Sequence, residues 1–483
     1  MKFFAKIVIL PYLFVSLLTI SAQAGELEWK FGIDHFTKSQ TPVSGLHQLT
    51  LGYVTDQGYF LGQSLYSGAL GQGGGLFVGG VEAGRYFDLG HDYRMALGAY
   101  VGGGGGGSRV LGDGIMVRPF LTLEIPTFGG HLGLGASWTT IDGSDIATPA
   151  ITTYYSKPFN LNFSVPNNGG TWKSRNGDTV FKSASLRYMQ YLHSDSSKTI
   201  SGAQSQDMHL LGGEFVFDSN AAFDTFLQAN GVVSGFAEGY ADWVLGVRSK
   251  NILGNTIFAY EFGLGAGCGG AIDTGGGLLW TAGLSANITL SDNWILKAGI
   301  SRRKSFNGAF SVVAPSLDIA YNFGSSQRRQ KTQNAHKIQF YSGITRQFPN
   351  TRFIRGKPHY SQTPNLLETT IDVFLNEIFY ITGQASTAFT GDVGGYQLGL
   401  FGLGWHSVPN NNWSYSAEVV MGAAGGAGVD TNGGLIYGAR AENDYWIDPS
   451  LALTVGLGHV RAAVGQGMAP TTVNVGLKVP TKF

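Results

Sequence analysis

The chain has 483 residues, of which 13% are charged, with 32 basic residues set against 32 acidic ones. That charged share is about half of what soluble domains carry, and the zero balance removes any electrostatic case for nucleic-acid binding. A single cysteine, Cys268, excludes an intramolecular disulfide and any metal site built on cysteine pairs. Glycine, at 73 residues, argues against helices, where each one costs about 1 kcal/mol relative to Ala.

Residues 1–24 read as a signal peptide. Lys2 and Lys6 open it, an apolar run follows from Ile7 to Ile20, and Ala22-Gln-Ala24 supplies small residues before a cut at Gly25. The run contains Pro11 and is shorter than the roughly 20 residues a spanning helix needs. Beyond residue 24 no long apolar helix follows. An exported chain without one is either soluble or a closed barrel, since only helices and closed barrels satisfy their backbone in lipid.

From there the sequence alternates strand and loop. Leu27, Trp29, Phe31 and Ile33 alternate with Glu28, Lys30, Gly32 and Asp34, which is the period of two of a strand with one apolar face. Similar stretches divide the chain into three units of about eight strands, over residues 25–165, 181–323 and 337–483, joined by polar linkers at 166–180 and 324–336. The first connection of each unit is long and polar: Thr37–Gly45, Asp195–Asp207 and Pro349–Asn365. Short turns such as Thr55-Asp-Gln-Gly58 alternate with the longer connections. This alternation predicts tight turns on the periplasmic side and long loops outside. A glycine cluster repeats between units, at Gly265 to Trp280 and Gly422 to Tyr437, with a looser copy at Gly102 to Val117.

The last strand runs from Thr471 to Phe483. Val473, Val475, Leu477 and Val479 form one face, Asn474, Gly476, Lys478 and Pro480 the other, and the chain ends on Phe483. This resembles the closing strand of Gram-negative outer-membrane β-barrel proteins, whose final residue is typically Phe. Phe163 and Phe323 end weaker versions at equal intervals upstream. The resemblance implies a cell outer-membrane location, contact with outer-membrane lipids, and handling by periplasmic chaperones and the barrel-assembly machinery. Val475, Leu477, Val479 and Phe483 would be the assembly signal. Trp and Tyr near strand ends suit aromatic girdles at two membrane interfaces: Trp29, Tyr86, Trp138, Trp280, Trp294, Tyr321, Trp405, Trp413 and Trp446.

The fold expected is therefore an all-β transmembrane antiparallel barrel from three tandem eight-strand repeats. The polar strand faces are largely Gly, Ser, Thr, Asn and Ala, which would leave voids in eight-stranded barrels. That consideration favours one large barrel of about 24 strands, the long linkers the alternative of three separate eight-stranded barrels. A merged barrel would be a passive pore of low selectivity for small solutes. Its candidate lumen charges are Glu28, Lys30, Arg187, Lys297, Arg303, Asp318 and Lys478, which alternate away from the apolar faces. A structural or surface-adhesion protein using its outer loops is the alternative function.

Catalysis finds little footing, and no cofactor is expected. Asp273-Thr-Gly275 resembles the aspartic-protease triplet, but the later copy reads Asp430-Thr-Asn432, and an Asx-type turn explains both. The glycine clusters lack the Gly-Lys-Ser/Thr of a phosphate cradle. The histidines do not recur between units and no Gly-x-Ser-x-Gly elbow precedes a helix, which weakens a lipid-modifying enzyme.

Overall fold

The structure is a computed structural model, describing residues 25–37, 42–106, 112–166, 172–175, 177–219, 222–250, 258–323 and 337–482. The signal peptide with its cleavage site, the linker 324–336 and Phe483 lie outside the described residues.

The first unit holds β1 (Gly25–Phe36), β2 (Val43–Thr55), β3 (Tyr59–Gly71), β4 (Leu76–Gly90), β5 (Tyr93–Gly106), β6 (Ile115–Thr127), β7 (Gly130–Ile141) and β8 (Ala147–Pro158). Two short strands follow in the linker, β9 (Phe163–Pro166) and β10 (Trp172–Arg175). The second unit holds β11 (Val180–His193), β12 (Met208–Asp218), β13 (Phe223–Gly235), β14 (Ala241–Ser249), β15 (Phe258–Cys268), β16 (Leu278–Thr289), β17 (Trp294–Ser305) and β18 (Ser311–Asn322). The third holds β19 (Lys337–Phe348), β20 (Asn365–Phe374), β21 (Phe379–Ala388), β22 (Gln397–His406), β23 (Trp413–Gly425), β24 (Leu435–Asp448), β25 (Leu451–Ala462) and β26 (Thr471–Lys482).

Each unit closes on itself. Neighbouring strands pair antiparallel, and the first strand of each unit pairs with its last: β1 with β8, β11 with β18, β19 with β26. The three tandem eight-strand units are as the sequence predicts, but the single 24-strand barrel is not formed. A merged barrel would need β8 to pair with β11 and β18 with β19, and those edges are already taken within their own units. Void-filling explains why closure succeeds. The inward faces carry Tyr66, Tyr100, Tyr154, Tyr191, Tyr341, Arg118, Arg187 and Arg303, all essentially fully buried, among the glycines and threonines that suggested emptiness. An eight-stranded lumen is just wide enough for side chains of that size.

The three barrels stand side by side in a ring. The third strand of each meets the fifth strand of the next: β3 with β15, β13 with β23, and β21 with β5. Small outward-facing residues allow this approach. A Cβ at Gly103 would stand 2.3 Å from the Cβ of Phe389, and one at Gly231 would stand 2.7 Å from the Cβ of Ala423. Between the first and third barrels, Gln63 bonds Thr369 and Ser342 across the interface, at 3.0 and 3.3 Å. Between the first and second, the His47 ring lies 4.9 Å from Trp243.

The outer ends of the first and last strands of the units, Gly25, Pro158, Val180, Asn322, Lys337 and Lys482, share one end of the ring with short turns such as Thr55 to Tyr59. At the opposite end the repeated glycine clusters lock neighbouring barrels together. Gly74 N donates to Gly275 O at 2.8 Å, and Gly394 N to Gly112 O at 2.8 Å. At the third junction the Glu238 carboxylate accepts from Thr431 N at 3.1 Å, from the Thr431 hydroxyl, and from Arg355 at 2.5 Å. Asp273 accepts from Gly275 N at 3.0 Å. The protease-like triplet is thus an Asx turn at a barrel junction.

On the terminal end, an apolar cluster draws on all three units. Phe181, Tyr321, Phe323, Ile338 and Val373 form its centre, with Leu27, Phe159 and Trp294 packed against it. The linker hairpin β9–β10 docks beside β26, with Lys482 opposite Ser164.

Candidate functional site

The lumens are where charge concentrates. All seven charges singled out in the sequence face inward and are buried. Each has a partner. Arg94 reaches Glu28 at 2.5 Å and Lys30 reaches Glu82 at 2.9 Å in the first barrel. In the second, Arg187 bridges Glu214 and Asp318 at 2.8 and 2.6 Å, Lys297 bridges the same two carboxylates at 2.6 and 2.7 Å, and Arg303 meets Asp242 at 3.0 Å. In the third, Lys478 holds Glu442 and Asp444, each at 3.0 Å.

The partners complete a network that the sequence reading missed. Arg118 grips Asp34 with Nε at 2.5 Å and Nη2 at 2.8 Å, while Thr152 donates to the same carboxylate. Arg248 joins Glu214 and Glu261, both at 2.7 Å. Arg440 contacts Glu368, and its Nε lies 2.9 Å from Glu418 and 3.1 Å from Glu442. A signal for these was present: Arg118 and Glu124 interrupt Met116–Ile125 at alternate positions, and Arg440, Glu442 and Asp444 do the same along β24. Opposite charges at period two on several strands of one barrel point to a paired interior rather than to a ring of one sign.

Apolar layers seal the networks. Near the loop end of the first barrel, Val43, Leu46, Leu76, Val78, Met116 and Ile146 pack together. Towards its terminal end Val54, Phe60, Tyr86, Ala96 and Phe120 form a second layer, with Lys30 Nζ 4.2 Å above the Phe60 ring. Phe310, Met208 and Ile272 lie in the corresponding outer layer of the second barrel. In the third barrel the first loop turns inward, so that Phe353 and Ile354 join its buried core. One cavity, bounded in part by Arg187, Gln228, Glu261 and Arg303, has a volume of about 10 Å³, room for roughly one water molecule.

Outside, the barrels carry an apolar coat. Leu121, Leu123, Leu134 and Ile151 in the first unit, Leu284, Ile300, Leu317 and Ile319 in the second, and Leu453, Val455, Leu457 and Val475 in the third are all exposed. Closed antiparallel barrels of even strand number, polar within and greasy without, have the construction of transmembrane barrels. This is a transmembrane-type β-barrel fold.

The girdle expectation holds in part. Trp138, Trp405 and Trp413 are exposed on the outer surface, but Tyr86 and Trp446 point inward and are buried. Trp294 and Tyr321 belong to the apolar cluster between barrels. Of the closing-strand residues, Val475 is exposed on the outer coat and Leu477 is buried.

No family model matches the chain, and no curated protein matches it. Among solved structures it is similar to the OccK11 (OpdR) protein of Pseudomonas aeruginosa, at 9% identity over 94% of this chain and 95% of that one, with a TM-score of 0.24. The KdgM porin aligns at 8% identity over 61% of this chain and 98% of its own, with a TM-score of 0.15. The ferric citrate transporter FecA aligns at 12% identity over 95% and 79% of the two chains, with a TM-score of 0.26.

Proposed function

We propose that the protein is an integral outer-membrane barrel assembly, closed to bulk solutes, that serves as a rigid membrane-embedded scaffold for its crown of outer loops. The termini and linkers would lie on the periplasmic side and the interlocked glycine loops outside. One observation carries the reading: the lumen charges are neutralised by one another between apolar layers. A conducting pore would leave such charges facing water. The wide, unselective pore expected of a merged barrel has no lumen to run through here.

A narrow conduit is the second reading, favoured by the polar lining of each lumen. Some lining atoms have no bonding partner, among them both polar atoms of the Gln339 amide and Asp372 Oδ1. Water-sized or ion-sized traffic through three parallel lumens would produce small steps. Neither reading needs a catalyst.

Single-channel recording of the refolded mature protein in a planar bilayer tests the proposal. Silence supports the scaffold, small steps in groups of three support the narrow conduit, and one large stable step overturns both.

A further inference from the structure

The apolar coat changes character at the loop end of two of the three barrels. Along the outward face of β17, Ile300 gives way to Arg302 and then Lys304, all exposed. Along β25, Leu457 gives way to His459 and then Arg461, also exposed. The two pairs occupy equivalent places. Lys304 stands opposite Trp280 and Arg302 opposite Ala282, while Arg461 stands opposite Tyr437 and His459 opposite Ala439. In the first barrel the same register puts Thr140 opposite Val117, with no cation.

β17 and β25 lie on the periphery of the ring: the barrels meet mainly through their third and fifth strands, and the sixth strands β16 and β24 touch the neighbouring β3 and β13 only at the edge of those contacts. The cations therefore project from the surface that faces lipid, at the level where hydrocarbon ends. The lumen cations singled out above pair with carboxylates, and these do not: among the described residues no carboxylate pairs with Arg302, Lys304 or Arg461. Arg302 Nη2 is held by the Ser311 hydroxyl at 3.0 Å, and the Arg461 guanidinium sits 5.8 Å from the Tyr437 ring. Both contacts orient a guanidinium while leaving most of its donors free. Arg346 is exposed on the outward face of β19, two strands from β25 and so about 10 Å across the sheet. It brings a further cation to the third barrel's patch.

We propose that these two patches bind the phosphate groups of phosphorylated lipid in the outer leaflet, one lipid at β16–β17 and one at β24–β25. Guanidinium donors match phosphate oxygens, the aromatic ring covers the junction of headgroup and chain, and the apolar stripe below receives the acyl chains. This inference rests on the outer-membrane orientation proposed above. The first barrel, which has Trp138 but no cation at the equivalent place, binds none.

The test counts lipids retained by the folded protein in detergent, by native mass spectrometry. The probes are bis-phosphorylated lipid A, the same lipid stripped of phosphate, and inorganic phosphate alone. The expected result is two lipid A molecules per chain. One should be lost in Arg302→Ala/Lys304→Ala and the other in His459→Ala/Arg461→Ala, each with at least tenfold weaker binding. Equal retention of the dephosphorylated lipid, or unaltered binding by both variants, overturns the proposal. So does saturation by inorganic phosphate with no preference for lipid. Heat-modifiable gel mobility after refolding into vesicles, scored on the same samples, reports barrel insertion separately. Failure of insertion would count against the membrane reading, and failure of binding alone against the lipid sites.

Discussion

Replacing Asp34 by Ala separates a sealed first barrel from a water-filled one. Arg118 has a side chain only 1% exposed and lies bidentate on Asp34. Its other close acceptor is the Thr152 hydroxyl at 2.9 Å, and the neighbouring Glu82 already pairs with Lys30. Removing Asp34 would strand a guanidinium in a dry interior, a loss of about 3–5 kcal/mol. In a hydrated lumen the same pair would behave as a surface ion pair worth about 0–1 kcal/mol. Removing both charges together, as Asp34→Ala with Arg118→Leu, leaves nothing stranded, so the double variant should be more stable than Asp34→Ala alone. Urea unfolding in lipid vesicles, followed by the fluorescence of Trp29 and Trp138 in this barrel, measures both variants. A loss under about 1 kcal/mol for Asp34→Ala, or a double variant that simply adds two losses, would refute the sealed-lumen reasoning.

The junction of the second and third barrels should weaken in acid. Burial would raise the Glu238 carboxyl, but hydrogen bonds from Thr431 and Arg355 outweigh it and hold the group below its ordinary value of 4.5. The stabilisation is therefore complete above that value and is lost as pH falls through the lower folded-state pKa. With the Arg355 side chain exposed to solvent, it is worth roughly 1 kcal/mol or less. Glu238→Gln should flatten the pH dependence of protease cleavage in the 425–434 loop. Gly103→Val, whose new Cβ would stand 2.3 Å from the Cβ of Phe389, should cost about 1–3 kcal/mol by overpacking. It should also reduce cross-linking between cysteines introduced at Asp113 and Gly391, whose groups now bond at 2.8 Å. On the outer coat, Val475→Lys should cost about 2–4 kcal/mol if β26 faces hydrocarbon, measured by unfolding in vesicles. Substituting Phe483 should slow assembly in cells without changing the stability of barrels already formed; normal insertion kinetics would remove the closing-strand reading.

Local pattern carried the class, the eight barrel strands of each unit and the inside–outside assignment of the lumen charges, but not the linker hairpin β9–β10. Period two needs no partner to be visible: Glu28 and Lys30 fall on the opposite face from Trp29 and Phe31 wherever the strand ends up. The repeats likewise reveal three equal units, because each copy has its own first loop and glycine cluster. Whether those units merge is a question of which edges pair, and edge pairing is non-local. The backbone donors of β8 would serve β1 or β11 equally well, and closure on β1 is decided by side chains from eight strands filling one narrow lumen. The same holds for the glycine clusters. Read along the chain, Gly265 to Trp280 suggests a flexible loop or a cradle. Only the ring of barrels shows Gly275 accepting a bond from Gly74 of another unit. Composition set how closely the barrels could approach, and tertiary packing decided that they would approach each other, because apolar faces with small residues gain contact there without stranding a polar group.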